Sequence, residues 1–375
     1  MPLVAASEHD MYEKMKAKLA DQYLEAELKV KAELAYAILR LKKEKNALIL
    51  GHNYMEAALY MSVPDIVGDS LELARQAQKA KESIIVFLGV HFMAETAKIL
   101  NPTKKVLIPS ERAGCSLAES ITAEDVMRLK TRYPGAPVVT YINTSARVKA
   151  VSDICVTSGN AEHVIAKLPD EVIILIPDEY LAQNVARATG RTVHLDSLDE
   201  TYRKKPISST QHAPETLTSS ANPAVADEAG TLHNGKKMLI AWPGRCEVHE
   251  QFTVEDIVSV RRQFPDAAIL AHPECRPEVT EAADFSGSTR KMIEYVQHTT
   301  HARYLLLTEC AMGDNVAYAN PHKEMLRLCS VRCPHMATIT LENTYTALKH
   351  ERFEVDVPEP IRREAEKSLL RMLSF

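Results

Sequence analysis

Short apolar runs that end in polar residues or glycine recur along the chain from residue 47 onward. The clearest are ALILGHNY, SIIVFLGV, KVLIP, PVVTYINTS, EVIILIPDE, MLIAWPGRC, AAILAHPEC and YLLLTEC. Runs of this length are typical of strands buried on both faces of a sheet, and the longer amphipathic stretches between them are typical of crossover helices. The pattern therefore predicts an α/β fold with parallel strands.

The same rhythm divides the chain into three similar α/β units. Before them lies a stretch rich in Ala, Leu, Lys and Glu, which predicts one or two helices with Ser7 capping the first. Between the second and third units the hydrophobic period disappears and Ser, Thr, Ala and Pro prevail, which indicates a long flexible loop. The predicted parts are a helical extension at 1–45, domain 1 at 46–104 plus 320–375, domain 2 at 105–191, an inserted loop at 192–236 and domain 3 at 237–319.

Polar side chains follow several of the predicted strands directly: His52, Tyr141, Cys246, His272 and Glu274. In open parallel sheets, ligands bind beyond the carboxyl ends of the strands, where loops converge and helix N-termini carry partial positive charge. We therefore expect the functional site at these strand ends.

Composition narrows the class of protein. A chain of 375 residues with 46% hydrophobic residues is long enough to bury a large core. Its net charge of -5 gives no general basic field, so we expect small-molecule ligands and no nucleic acid. No apolar run is long enough to span a bilayer and the N-terminal residues lack a signal-peptide pattern, so we expect no membrane partner and a cytoplasmic location.

Three cysteines in turn-like sequences carry the most specific chemistry: Cys115 in AGCSLAES, Cys246 in WPGRCEVHEQF and Cys333 in CPHMATITLE. Structural metal sites normally close with four protein ligands, whereas three leave one position open for a substrate. The spacing lacks the close CxxC pairs of a zinc ribbon, and thiolates at turns suit iron and sulfide. The alternative for any one cysteine is a small buried hydrophobe, which we assign to Cys155 and Cys329, and also to Cys310.

Other motifs have both a functional and a structural interpretation. His52-Asn53-Tyr54 could face a substrate or could simply end a strand with hydrogen bonds. His272 and Glu274 alternate onto one side of an extended segment, where they could move protons or form a structural ion pair. Tyr141 and Asn143 form a similar pair. The turns at 156–161 and 287–289 could present backbone N–H groups to phosphate or carboxylate, or could be ordinary helix caps.

Taken in order, nine motifs resemble quinolinate synthases of the iron-sulfur A family over about residues 46–350. They are GHNY, GDSLELA, GVHFMAETAKIL, AGCSLA, YINTSARVKAVSDICVTSGNA, WPGRCEVHEQF, HPEC, LTECAMG and CPHM. The resemblance implies three three-layer αβα domains in a pseudo-threefold arrangement around a central active site. It also implies condensation of iminoaspartate with dihydroxyacetone phosphate to quinolinate, the pyridine precursor of NAD, with loss of phosphate and two waters.

The resemblance further implies a 4Fe-4S cluster held by Cys115, Cys246 and Cys333, whose fourth iron acts as a Lewis acid. It implies proton transfer by Tyr54 and Glu274, with His272 as a further member of the catalytic set. The implied substrate-binding residues are His52, Ser70, Tyr141, Asn143, Ser158, His249, Ser288 and Thr289. An enzyme that oxidises L-aspartate is an implied functional partner.

Two features depart from the family pattern, and two other functions stay open. The insertion before residue 237 is longer than the usual link, and only Cys329 precedes Cys333, which does not match the CxxCxxC of some members. The alternatives are a non-catalytic iron-sulfur sensing protein and a zinc-dependent aldolase with histidine ligands.

Overall fold

Three parallel sheets with flanking helices make up the residues that the computed structural model describes, 3–198, 237–327 and 331–375. The chain divides into two compact units. Unit 1 comprises Met1–Cys115 and Glu247–Val357, and unit 2 comprises Ser116–Cys246 and Pro358–Phe375. The predicted α/β fold with three parallel sheets is confirmed.

The first part of unit 1 begins with the predicted pair of helices. The Oγ of Ser7 accepts the backbone N–H of Asp10 at 3.1 Å and so caps the first helix, as predicted. A parallel sheet of order β2-β1-β3-β4 follows. The elements are α1 (Glu8–Leu19), α2 (Glu25–Glu44), β1 (Ala47–His52), α3 (Ala57–Ser62), β2 (Ile66–Gly68), α4 (Ser70–Lys79), β3 (Ile84–Leu88), α5 (His91–Leu100) and β4 (Lys105–Leu107).

Unit 2 holds the second sheet, of order β6-β5-β7-β9-β8. Its elements are α6 (Ser116–Glu119), α7 (Ala123–Arg132), β5 (Val138–Tyr141), α8 (Ala146–Ala150), β6 (Ile154–Val156), α9 (Ala161–Lys167), β7 (Val172–Ile176), α10 (Glu179–Thr189), β8 (Thr192–Leu195) and β9 (Met238–Ala241). β9 pairs with β7 and β8, although the sequence assigned it to domain 3. Thr192–Leu195, the start of the predicted insertion, is a strand, and 199–236 lie outside the described residues.

The second part of unit 1 forms the third sheet, of order β11-β10-β12-β13. Its elements are α11 (Val254–Gln263), β10 (Ala268–Ala271), α12 (Pro277–Ala282), β11 (Phe285–Ser286), α13 (Thr289–His298), β12 (Arg303–Leu307), α14 (Cys310–Ala319), β13 (Glu324–Leu326) and α15 (Leu341–His350). Short 3-10 helices occupy His249–Gln251 and Met336–Thr338.

The last helix, α16 (Glu359–Leu373), packs on α8 and β6 and so belongs to unit 2. The sequence had assigned 320–375 to domain 1, because an amphipathic helix does not reveal which sheet its apolar face will cover. The other domain boundaries stay predictions. In the described part of the chain, no helix combines the length and the apolar character needed to cross a membrane.

Strand register places the polar strand ends of unit 1 at common sheet edges. His52 is paired with Gly68, which precedes Ser70, and Ala271 is paired with both Ser286 and Leu307. The central strands β1 and β10 are fully buried. Because parallel strands end at the same edge, the residues that follow them can converge on one ligand.

Candidate active site

His52 and Tyr54 lie at the carboxyl end of β1. The Nδ1 of His52 accepts the backbone N–H of Tyr54 at 3.3 Å, and the two rings meet edge to face with centroids 4.6 Å apart. Burial lowers the pKa of His52 to about 4, against the opposing effect of the Glu274 carboxylate. At neutral pH the imidazole is therefore uncharged and, with Nδ1 accepting, carries its proton on Nε2.

His272 and Glu274 follow β10 and are both buried. The Nδ1 of His272 lies 3.4 Å from the backbone N–H of Glu274, which donates to it. Burial lowers the pKa of His272 to about 3; Glu274 opposes the shift, and the neighbouring imidazoles of His249 and His52 add to it. This second imidazole is thus also neutral, with an Nε2–H donor.

Glu274 also binds the imidazole of His249, which stacks on His272 with ring centroids 4.6 Å apart. The Nδ1 of His249 lies 2.8 Å from Oε2 of Glu274, and because a carboxylate only accepts, Nδ1 donates. Nε2 of His249 lies 2.9 Å from Oγ1 of Thr308, whose hydroxyl donates to it in the neutral tautomer. The Tyr54 hydroxyl is 2.6 Å from the same Oγ1. Tyr54, Thr308, His249 and Glu274 therefore form one continuous hydrogen-bonded chain, the Tyr54–Glu274 chain.

Thr308 is the member of this chain that sequence reasoning missed. It is 2% exposed and directly follows β12, whose Leu307 pairs with Ala271 just before His272. The signal was present, since Thr308 is a polar residue at the end of an apolar run, but a threonine between Leu and Glu is not distinctive chemistry. The strand-end rule, applied to every predicted strand, would have selected it.

The Tyr54–Glu274 chain links the two sheets of unit 1. Tyr54 belongs to the loop after β1, whereas Thr308, His249 and Glu274 come from the second part of the unit. A phenol joined through a hydroxyl to an imidazole–carboxylate pair can release and take up a proton at the phenolic oxygen, with Glu274 stabilising the positive charge that His249 would gain. The arrangement is therefore suited to general acid–base chemistry.

Asn53 and Asn315 hold the Tyr54 loop in place. The Nδ2 of Asn315, on α14, donates to the backbone oxygens of Asn53 (3.0 Å) and Met55 (2.8 Å). The Nδ2 of Asn53 donates to Oγ1 of Thr289 at 3.0 Å. Because all three polar residues are buried, these hydrogen bonds fix the loop relative to α13 and α14.

The predicted anion contacts of unit 1 lie at helix N-termini. Ser288 caps α13, its Oγ accepting the backbone N–H of Lys291, and Thr289 is the first residue of that helix. Ser70 begins α4. Arg290 and Glu72, in the first turns of the two helices, form an ion pair at 3.4 Å, so the two N-termini lie side by side. Backbone N–H groups and the helix dipole favour anions at such positions.

Unit 2 carries the remaining predicted substrate contacts at one edge of its sheet. Tyr141 ends β5 and pairs with Val156 at the end of β6. Ser158 lies in the turn after β6, and Asn143 follows Tyr141 by two residues. Ser145 caps α8, its side chain accepting the backbone N–H of Val148. Tyr141 therefore lies at a strand end, as the sequence predicted.

The WPGRC loop of unit 2 is held by close backbone approach. The backbone N–H of Glu179 donates to the Gly244 oxygen at 2.8 Å, and the Glu179 carboxylate accepts from Nε of Arg245 at 3.0 Å. A Cβ on Gly244 would lie 2.4 Å from the backbone oxygen of Pro177 and 2.5 Å from Oγ of Ser120. Only glycine fits there, and it sets the path of the chain toward Cys246.

Exposure divides the six cysteines of the described residues into two groups. The predicted ligands Cys115, Cys246 and Cys333 are partly exposed, whereas the other three are buried. The buried ones are Cys155, Cys275 and Cys310. This division agrees with the sequence assignment for Cys155 and Cys310, while Cys329 lies outside the described residues.

Within unit 1, His335 contacts two residues, Arg112 and Glu247, that lie far from it in the sequence. Its Nδ1 lies 3.4 Å from the backbone oxygen of Arg112, three residues before Cys115. Its Nε2 lies 3.0 Å from Oε1 of Glu247, which is bonded directly to Cys246. His335 itself is two residues after Cys333. The fold of unit 1 therefore brings together chain segments that are far apart in the sequence.

The environment of Cys333 fits a metal-bound thiolate. Burial raises the pKa of its thiol to about 11, so a thiolate at this position needs a compensating cation. The backbone N–H of Met336 points to its Sγ at 3.5 Å, a contact that commonly supports thiolate ligands. The nitrogen and oxygen donors of His249 and Glu274 are also of a kind that can hold a metal ion, and Cys246 precedes His249 by three residues.

Comparison with known proteins identifies the family of this chain. The family model described as quinolinate synthetase A protein matches residues 36–374. The chain belongs to the quinolinate synthetase A family. It is 49% identical to quinolinate synthase of Agrobacterium fabrum over 339 residues, which cover 90% of this chain and 85% of that protein. It is 44% identical to quinolinate synthase of Caulobacter vibrioides over 378 residues, covering 100% of this chain and 89% of that one.

These matches confirm the family and the enzyme class that the motifs predicted. The individual roles of the site residues stay predictions.

Proposed function

We propose that this chain is a quinolinate synthase that condenses iminoaspartate with dihydroxyacetone phosphate in the cytoplasm, as a step of NAD biosynthesis. The reaction yields quinolinate, phosphate and two waters, and its atoms balance without an oxidant. It requires carbon–carbon and carbon–nitrogen bond formation, proton transfers and loss of hydroxyl groups. The observation that carries the proposal is the Tyr54–Glu274 chain beside two neutral imidazoles, in a member of this family.

The proposed cofactor is a 4Fe-4S cluster bound by Cys115, Cys246 and Cys333. The partial exposure of these cysteines and the bridge through His335 support it. When bound, such a cluster would supply a Lewis-acidic iron that withdraws electron density from a substrate oxygen or nitrogen.

Within unit 1, the proposed proton carrier is Tyr54. Its hydroxyl can pass a proton through Thr308 to His249, and Glu274 stabilises the resulting imidazolium. His52 and His272 are uncharged and present Nε2–H groups, so they can donate hydrogen bonds to carboxylate or carbonyl oxygens without being deprotonated. Their proposed role is to bind and orient substrate.

The proposed anion contacts suit a triose phosphate and a dicarboxylate. Ser70, Ser288 and Thr289 lie at helix N-termini of unit 1. Tyr141, Asn143 and Ser158 lie at the strand ends of unit 2. Because iminoaspartate is an imine that water hydrolyses, an enzyme that oxidises L-aspartate is the proposed supplier.

A matched pair of tyrosine variants tests the catalytic assignment. Anaerobically purified, cluster-reconstituted protein is given both substrates, and quinolinate is measured. Tyr54→Phe should lower kcat by on the order of 10²- to 10⁴-fold, because it removes the proton carrier. Tyr345→Phe, which alters a half-buried tyrosine on α15, should keep full activity. Wild-type activity in Tyr54→Phe would refute the assignment.

A matched pair of cysteine variants tests the cofactor. Cys333→Ala should lose bound iron, acid-labile sulfide and activity together, whereas Cys310→Ala should retain all three. Iron and sulfide without turnover in the wild-type chain would favour the sensing alternative. Zinc without sulfide would favour the aldolase alternative.

A further inference from the structure

The Cys333 segment is held at two points by residues outside the proposed ligand set. Glu309 contacts it at the Cys333 backbone N–H, and His335 lies within it and contacts two other segments. We call Glu309 and His335 the Cys333 brace.

Glu309 joins the Cys333 segment to the start of α14. It directly follows Thr308, and the residue is 4% exposed. Oε2 accepts the backbone N–H of Ala311 at 2.7 Å, and Oε1 accepts that of Cys333 at 3.4 Å. The Cys310 N–H also donates to the Val331 oxygen at 3.2 Å. A buried carboxylate is costly unless its oxygens are hydrogen-bonded, so these contacts define where the segment can lie.

His335 joins the same segment to two other segments of unit 1. Each of its ring nitrogens faces an acceptor, the Arg112 oxygen at 3.4 Å and the Glu247 carboxylate at 3.0 Å. The backbone oxygen of Ala113, next to Arg112, accepts the N–H of His91 at 2.7 Å. The segment that leads to Cys115 is therefore anchored at the N-terminus of α5. Within unit 1, His335 therefore ties the Cys333 segment to Glu247 and to the anchored segment before Cys115.

We propose that Glu309 and His335 are positioning residues that hold the Cys333 segment in its ligand-binding conformation before the cluster arrives. This inference rests on the proposed iron-sulfur function. A loop that must become ordered on binding loses conformational entropy, which weakens binding, whereas a loop already held does not. Removing the brace should therefore shorten the lifetime of the bound cluster more than it affects folding.

The test measures cluster release to an excess of iron chelator, by the decay of visible absorbance under anaerobic conditions. The variants are His335→Ala, Glu309→Gln and Glu247→Gln, with His350→Ala, an exposed histidine at the end of α15, as the matched control. His335→Ala and Glu309→Gln should each release the cluster about tenfold faster than wild type, as for other residues that orient metal ligands. His350→Ala should match wild type.

Two further readouts separate positioning from a general structural role. The thermal midpoints of cluster-free His335→Ala and Glu247→Gln should stay within a few degrees of wild type, because Glu247 and His335 are partly exposed and their contact contributes little to folding. Glu247→Gln should accelerate cluster release in the wild-type background. It should not accelerate release further in His335→Ala, because that variant already lacks the contact between residues 335 and 247.

The outcomes distinguish this inference from the proposed function. Release rates within twofold of wild type in both His335→Ala and Glu309→Gln would overturn the brace while leaving the cluster assignment intact. Faster release that is fully accounted for by unfolding of the cluster-free protein would overturn it as well. A wild-type chain that takes up no iron and sulfide would overturn both proposals.

Discussion

Mild acid should destabilise the cluster-free protein through the two buried imidazoles. The pKa of His272 is about 3 and that of His52 about 4 in the folded protein, against 6.5 for an unperturbed histidine. Both pKa values are lower in the folded than in the unfolded protein, so the contribution of the two histidines to folding stability is fully present above pH 6.5. This contribution is lost as the pH falls toward their pKa values in the folded protein. At pH 5 the unfolded chain binds about one proton at each histidine and the folded chain almost none. Proton linkage then gives a loss of about 2 kcal/mol for each histidine, or about 4 kcal/mol together.

Urea unfolding of the cluster-free wild type and His272→Gln at pH 7.5 and pH 5 isolates one of these contributions. Glutamine keeps a hydrogen-bonding side chain but does not titrate, so the stability difference between the two proteins should shift by about 2 kcal/mol in favour of the variant at pH 5. His298→Gln, at an exposed position in α13, controls for the substitution itself. A difference that stays constant between the two pH values would refute the conclusion that His272 is neutral in the folded protein.

Two further pairs of substitutions test the geometry of the site. Thr308→Val keeps the side-chain size but removes the hydroxyl that lies 2.6 Å from the Tyr54 hydroxyl and 2.9 Å from Nε2 of His249, so kcat should fall by on the order of 10²-fold. Thr308→Ser, which keeps a hydroxyl, should retain most of the wild-type kcat. Equal kcat values in the two variants would contradict proton transfer along the Tyr54–Glu274 chain. Gly244→Ala should destabilise the protein by about 1–3 kcal/mol and lower its iron content, because the new Cβ would lie 2.4 Å from a backbone oxygen. Gly313 lies in α14, and a Cβ added there would meet nothing within 4 Å, so Gly313→Ala should be neutral or stabilising in an unfolding assay. Equal effects of the two alanine substitutions on stability would contradict the packing argument.

The sequence pattern identified eight strands, of which β4 lies at a sheet edge and the other seven lie inside their sheets. The seven were recognisable because central strands of a parallel sheet are buried on both faces. The strands that it missed are β2, β6, β8, β11 and β13, and every one of them lies at a sheet edge. They are two to four residues long, and most are partly exposed, so they produce no apolar run. Nor did the pattern reveal that β9 pairs with β7, because apolar strands do not encode their neighbours.

The candidate site was predictable where chemistry is distinctive. His52, His272 and Glu274 were found at strand ends because ionisable groups beside apolar runs are conspicuous. The Thr308 hydroxyl was not found, since its importance comes only from its two partners in the fold. The bridge through His335 likewise depends on residues more than 200 positions apart, such as Arg112, which no local pattern connects.

Tracing labelled carbon tests the central claim most directly. Anaerobically reconstituted protein is incubated with iminoaspartate and dihydroxyacetone phosphate labelled with ¹³C at all three carbons, and quinolinate is analysed by mass spectrometry. The account predicts quinolinate heavier by three mass units, released together with one phosphate per molecule, and lost on exposure of the protein to air. Absence of labelled quinolinate from protein that retains iron and sulfide would contradict it.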